Sequence, residues 1–211
     1  MGDVRVVLIG GTSNAGKSAV AQVVAERLGF ACRSTDGLAR HPGRPWRTPG
    51  REVPEHVAEH YRSLTVEELV SSVLDHYERL WPRIEELIAQ HAAGPGGLVL
   101  EGSALWPARV AVLTVPHTAA VWLAAEDTVV RARVHRAGRY AQATAGERHL
   151  MDKFLARSAR YQSLMRAELA GLGLDPARVV DSGDGRPVEA VADAVLRAVD
   201  APDGGRRAQR S

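Results

Sequence analysis

Short solid apolar runs alternate along this chain with longer stretches in which apolar residues recur every three or four positions. Val4 to Ile9 (VRVVLI) is a β-branched run bounded by glycine, the pattern of a strand buried on both faces. Val20, Val23, Val24 and Leu28 then mark a helix from Lys17 to Leu28, with Gly29 as its stop. Phe30 to Thr35 reads as a second strand ending at Asp36. Residues 41–54 (HPGRPWRTPGREVP) hold too much proline and glycine for regular structure and predict a long surface loop. Thr65 and Glu68 form a capping box ahead of a helical face made by Leu69, Val73, Tyr77, Leu80, Ile84, Leu87 and Ile88. Pro82 is expected to kink or split that helix. Residues 96–102 (GGLVLEG) and 119–125 (AAVWLAA) read as the third and fourth strands, with ALWPARVAV between them ambiguous. Asp127 or Thr128 opens a helix through Val129, Val130 and Val134. Leu150, Phe154, Leu155, Tyr161, Met165 and Leu169 mark another. Residues 177–182 (ARVVDS) make a fifth strand, followed by a helix over 187–199 with Pro187 in its first turn. The tail, 201–211, is expected to be disordered. Strands alternating with helices predict an α/β domain whose parallel sheet is covered on both faces.

Composition narrows the classes. A chain of 211 residues, 45% hydrophobic, suits one domain, here residues 1–200, with no linker between two cores. Of the 27 Lys+Arg only Lys17 and Lys153 are lysines, so 25 are arginines, whose planar fork suits phosphate or carboxylate. A net charge of +2 is too balanced for a nucleic-acid coat, so a small anion is the expected partner and nucleic acid is not. Cys32 is the single cysteine, which excludes an internal disulfide framework and reads as a small core residue. No signal-peptide pattern and no 18-residue apolar span is present, so a cytoplasmic protein with no membrane partner is expected. A homodimer is compatible with the sequence.

Between the first strand and the first helix lies Gly11-Thr12-Ser13-Asn14-Ala15-Gly16-Lys17-Ser18, a GxxxxGK[ST] pattern in the strand–turn–helix setting its chemistry requires. Glycines let successive backbone N–H groups point at one anion, the helix N-terminus adds positive potential, and Lys17 reaches the terminal phosphates. Ser18 is the expected Mg²⁺ ligand, and the nucleotide-binding stretch runs on to Ala19. Carboxyl ends of strands in such a sheet face the ligand crevice, which places Asp36 and Glu101 beside the phosphates. Asp36 is the expected base toward an acceptor hydroxyl, while Glu101, closing the apolar LVLE strand, suits a Walker B role at the metal. His56 and His60 have helical spacing for a metal pair, but no third ligand is signposted and Glu55 and Glu59 suggest a solvated helix. A serine-hydrolase elbow is absent, since the one serine in a glycine-rich strand–helix turn belongs to the phosphate loop.

LIGGTSNAGKS, STD after the second strand and LEGSALWP after the third resemble the P-loop small-molecule kinases, most nearly the 2-phosphoglycerate kinase-like proteins and more distantly shikimate kinase, chloramphenicol phosphotransferase and zeta toxins. That resemblance implies a three-layer P-loop NTPase fold, with a five-stranded parallel sheet ordered 2-3-1-4-5 and an arginine-bearing lid. It supports Asp36 as base and matches Glu101 to the family's acid after the third strand; Glu101 and Gly102 are also candidates for contact with the acceptor. The arginine-rich stretch from Arg131 to Arg160 resembles the lid of nucleotide kinases over 127–160, which gives Arg139, Arg148 and Arg157 as the arginines expected to close over the phosphates. SGDGRPV after the fifth strand occupies the place where related kinases contact adenine, so Gly183, Asp184 and Arg186 are candidates there. Arg40, Arg44, Arg47 and Arg51, with Trp46 among them, crowd the acceptor-side region of 37–95 and suit an anionic or ring-bearing acceptor. The expected activity is transfer of the γ-phosphoryl of ATP, with Mg²⁺, to a hydroxyl of a small molecule. A nucleoside monophosphate kinase and a nucleotide-dependent regulatory binder are the alternatives.

Overall fold

The computed structural model describes residues 3–39, 43–48, 50–183 and 185–200. Its strands are β1 (Val6–Gly11), β2 (Ala31–Ser34), β3 (Leu98–Glu101), β4 (Thr118–Ala124) and β5 (Val179–Asp181). They form one sheet in the order β2-β3-β1-β4-β5, and every pairing is parallel. The helices are α1 (Lys17–Leu28), α2 (Glu55–Ser63), α3 (Val66–Ala93), α4 (Pro107–Ala111), α5 (Asp127–Ala137), α6 (Ala145–Gly171) and α7 (Val188–Asp200).

Alternation along β1 explains the layers. Val6 and Leu8 pack with Leu98 and Leu100 toward α3 and α6, while Val7 and Ile9 pack with Val99 and Val121 toward α1 and α7. Both faces are buried, so the strand reads as an unbroken apolar run. A third apolar cluster lies outside these layers: Val57 and Tyr61 of α2, Leu69 of α3, Val130 and Val134 of α5, and Met151 and Phe154 of α6 close around Trp46. Trp46 and the helices α2, α5 and α6 therefore share one core.

Three expectations change here. Pro82 does not split α3, which continues from Val66 to Ala93. Trp81 and Ile84 anchor the turns on either side in the core, while Pro82 and Glu78, whose carbonyl loses its donor, lie on the exposed face where water can replace it. The ambiguous stretch after β3 holds the short helix α4. Trp46, expected near the acceptor, is 3% exposed and meets the Phe154 ring edge-on at 4.8 Å, so its area goes into the core. Cys32 is partly buried against the α1/α7 layer, as a small core residue would be. The 201–211 tail lies outside the described residues. No helix among the described residues is long and apolar enough to cross a membrane.

Candidate active site

The chain leaves β1 at Gly11 and enters α1 at Lys17, with Gly16 as N-cap at φ 92°. Only glycine takes that left-handed conformation without strain, and it aims the first free N–H groups of α1 at the crevice beyond the sheet edge. A cleft of about 310 Å³ opens there. It is bordered by Ser13, Asn14 and Gly16 to Ala19 of this turn, by Asp36 after β2, by Glu101 to Ser103 after β3, and by Arg44, Tyr77, Arg133 and Phe154.

Lys17 is almost wholly buried, and its ammonium donates to Thr12 O at 2.8 Å and Ser103 Oγ at 3.2 Å. Burial lowers its pKa from the ordinary ammonium value, opposed by Glu101 and then Asp36. Ser18 Oγ donates to Glu101 Oε1 at 3.0 Å. β3 and β1 are neighbours in register, which brings the carboxylate at one strand end to the first turn of α1. Glu101 is 6% exposed, so this hydroxyl–carboxylate pair sits at the floor of the cleft. Asp36 is exposed in the 3₁₀ turn Thr35–Gly37, with its backbone N–H on Ser34 Oγ at 3.3 Å. Gly102 lies against the same turn, since a Cβ built on it would fall 1.8 Å from Thr35 Oγ1.

Several expected residues lie elsewhere. Gly11 closes β1 in register with Leu123, Ala15 is packed in the α1/α7 layer, and Thr12 donates to Ser158 O at 3.2 Å. Arg47 lies in the loop before α2 but pairs with Glu147 at 2.5 Å and Glu52 at 3.3 Å, fastening that loop to the start of α6 rather than bordering the cleft. Arg148 donates to Tyr140 O and Ala141 O, both at 3.0 Å, so it holds the turn between α5 and α6. Arg139 sits at the start of that turn, at φ 50°, and borders a separate cavity with Trp46 and Met151. Arg157 lies behind Phe154, its Nη1 donating to Tyr61 Oη at 2.9 Å. Gly183 packs close to Ala125, and Arg186 donates to Asp181 O at 2.7 Å. Arg40 and Asp184 lie outside the described residues. Arg44 does border the cleft.

Arg133 was one arginine among many in the α5 stretch, yet it bridges the site. Its guanidinium donates to Asn14 O at 2.9 Å and Ser182 O at 2.8 Å, joining α5 to the phosphate loop and to the turn after β5. Nothing in the α5 pattern distinguishes it from Arg131 or Arg136. Tyr77 fits its helical stripe as a core residue and is also a wall of the cleft. Ser103 follows Glu101 by two residues, a spacing that would have suggested its place beside Lys17. No group of three or more His, Cys, Asp or Glu among the described residues could hold a metal ion. His56 and His60 lie on α2, exposed and half-buried.

Solved structures share this fold. A gluconokinase from Sinorhizobium meliloti 1021 is similar over 93% of this chain and 92% of its own, at 21% identity and a TM-score of 0.51. A sugar kinase from Janibacter sp. HTCC2649 is similar over 93% of this chain and 95% of its own, at 21% identity and a TM-score of 0.50. The fold is that of the P-loop NTPases. No protein-family model and no curated protein sequence matches the chain.

Proposed function

We propose that the chain is an ATP-dependent small-molecule kinase, transferring the γ-phosphoryl of ATP to a hydroxyl of its acceptor. The observation that carries this reading is the convergence in one cleft of Lys17, the Ser18–Glu101 pair and the exposed carboxylate of Asp36. The turn from Ser13 to Ala19 would bind the triphosphate through backbone N–H groups, with Lys17 leaving Thr12 O and Ser103 Oγ for the β- and γ-phosphates. Arg133, already tied to Asn14 O and Ser182 O, would order the nucleotide from the α5 side. The acceptor oxygen would attack the γ-phosphorus as the bond to the β–γ bridging oxygen breaks; its proton goes to Asp36 and ADP leaves.

Magnesium fits the donor set. Ser18 Oγ and a Glu101 oxygen are two hard oxygen atoms at the floor, and a two-residue site suits an ion that keeps water and phosphate oxygens as its other ligands. When bound, it would neutralise charge on the β- and γ-phosphates. Protein residues would do the rest: Lys17 orients the phosphates and Asp36 holds the proton. The sequence resemblance to the 2-phosphoglycerate kinase-like proteins belongs to the same reading.

Lys17→Ala and Asp36→Asn test it with a coupled ADP-release assay over a metabolite panel. Loss of nucleotide binding in the first, and lost turnover with retained ATP affinity in the second, are expected. Full activity in Lys17→Ala refutes the phosphate assignment. Turnover retained in Asp36→Asn removes the base and favours a nucleoside monophosphate kinase, a second reading supported by Arg44 on the acceptor side. Tight ATP binding with no transfer to any acceptor would make the chain a nucleotide-dependent binder.

A further inference from the structure

A second cavity, of about 310 Å³, opens in the groove between α5 and α6 and shares no lining residue with the phosphate cleft. Thr12 and Ser158 form its buried floor, at 1% and 3% exposure, and Ser158 Oγ has no hydrogen-bond partner. A buried hydroxyl left in that state is costly, and a polar ligand in the cavity would supply the missing partner. Three charged side chains stand at the exposed rim: Asp127 and Arg131 on α5, and Asp152 on α6. Asp127 and Arg131 are four residues apart, the spacing at which opposite charges on a helix ordinarily meet. They do not meet. Among the described residues Arg131 has no hydrogen bond and no ion pair. Asp127 accepts a long bond from Gln162 Nε2 at 3.4 Å, and Asp152 accepts the Tyr140 hydroxyl at 3.0 Å, so neither carboxylate has a cationic partner. Tyr140 is a fixed wall, with its ring stacked on His135 at 3.9 Å and the Arg148 guanidinium carbon 5.6 Å from its centroid.

The charges around the groove select the ligand. An organic anion would satisfy Arg131 but set its own charge against Asp127 and Asp152, and an amine would satisfy the carboxylates while leaving the guanidinium without a partner. A zwitterion answers both. Its ammonium brings three donors to the two carboxylates, and its carboxylate offers two oxygens to the guanidinium fork and to the Ser158 hydroxyl. Val130 and Leu155, both buried, add apolar wall to the same cavity, which suits a short aliphatic side chain. The volume is at the small end for a ligand pocket, in keeping with an occupant of that size.

We propose that the α5–α6 groove is an effector site for a small aliphatic α-amino acid, held by its carboxylate at Arg131 and by its ammonium at Asp127 and Asp152. The floor connects it to the phosphate loop. Thr12 Oγ1 donates to Ser158 O at 3.2 Å, and Thr12 O accepts from Lys17 Nζ at 2.8 Å. A ligand seated on Ser158 and Thr12 keeps Thr12 where it retains Lys17, whereas a nucleotide needs that ammonium released to its phosphates. Occupancy of the groove therefore opposes nucleotide binding, and by linkage nucleotide opposes occupancy by the same factor. The coupling rests on the kinase reading above; the zwitterion site does not.

The test is calorimetric titration of the full chain without nucleotide, using leucine, valine and alanine. Each is compared with the amine that lacks its carboxylate and the acid that lacks its ammonium: isoamylamine and isocaproate, isobutylamine and isovalerate, ethylamine and propanoate. None of these probes carries an alcohol, so none can be mistaken for the phosphoryl acceptor. At least one amino acid should bind about tenfold or more tighter than both of its partial analogues. Arg131→Gln should bring it down to the affinity of its amine, and Asp127→Asn toward that of its acid; both residues are exposed at the rim, so the fold should survive either change. With a non-hydrolysable ATP analogue and magnesium bound, affinity for the amino acid should fall about fivefold or more. Equal binding within every set, no binding by any amino acid, or a preference that survives Arg131→Gln overturns the proposal. A preference unchanged by the analogue keeps the site and overturns its coupling. Amino-acid binding by a chain that binds no ATP analogue would keep the site and refute the kinase reading, and phosphoryl transfer by a chain that binds no amino acid would do the reverse.

Discussion

Gly102→Ala is the sharpest perturbation the site allows, because it couples the end of β3 to the turn that carries Asp36. A Cβ on residue 102 would stand 1.8 Å from Thr35 Oγ1, 2.8 Å from its Cβ and 2.9 Å from its Cγ2, where real Cβ contacts stay beyond 3.0 Å. Rotating Thr35 does not help, since its own Cβ is within the forbidden range. Thr35 is 1% exposed and has no free side to retreat into. Overpacking of this kind costs about 1–3 kcal/mol, and a residue with a side chain at φ 158° adds about 1 kcal/mol. A total of about 2–4 kcal/mol is a large part of the stability of a domain, and at a urea m-value of about 2 kcal/mol/M it moves the midpoint by about 1–2 M. Relief requires Thr35 and its neighbour Asp36 to shift, and misplacing a reacting group by about 1 Å can lower turnover about 10²-fold. ATP affinity should change little, because Ser13 to Ser18 are not displaced. Urea melts, calorimetry with ATP and the coupled assay measure the three quantities. The double variant Gly102→Ala/Thr35→Ala should recover part of the stability. An unchanged midpoint and turnover in Gly102→Ala would refute the close-approach reasoning.

Other expectations concern the rest of the site and its support. Lys17 has a pKa lowered by burial, so between that value and the ordinary 10.5 the unfolded chain binds more protons than the folded one and stability rises with pH. Wild type should therefore gain stability relative to Lys17→Met as pH rises through this window in thermal melts, and a flat difference would contradict it. Trp46→Ala should cost about 3 kcal/mol or more in urea melts, whereas Trp46→Phe should cost far less, because Trp46 Nε1 has no hydrogen-bond partner to lose. Arg133→Ala removes charge-assisted bonds to Asn14 O and Ser182 O and should raise the ATP Kd about tenfold, read by calorimetry; an unchanged Kd would remove Arg133 from the nucleotide site.

Spacing carried the architecture. Solid runs gave the strands within two residues, and the 3.6-residue stripes gave α1, α3 and α6 with the buried faces they have, since burial follows periodicity whatever packs against it. Capping chemistry was legible at Thr65, where both reciprocal bonds form, and the same device at Thr144 with Glu147 went unread. Lys17, Ser18, Asp36 and Glu101 were legible because strand ends in a parallel sheet project to one edge. The arginines were not. Their side chains are long, and α5 and α6 present several each, so sequence distance says little about which guanidinium arrives where. Arg148 turned to local carbonyls, Arg47 to Glu147, and Arg133 to the phosphate loop.

Taken alone, the order of residues determined a strand–glycine turn–helix unit, an alternating α/β chain and two carboxylates at strand ends, because those features depend on contacts within a few residues. Only the tertiary structure decided that Pro82 is carried through α3, that Trp46 serves the core, and that Arg157 is buried against the Phe154 and Tyr61 rings. Each is an outcome of packing between segments far apart in the chain, where the area buried and the charges left unpaired exist only once the layers have closed.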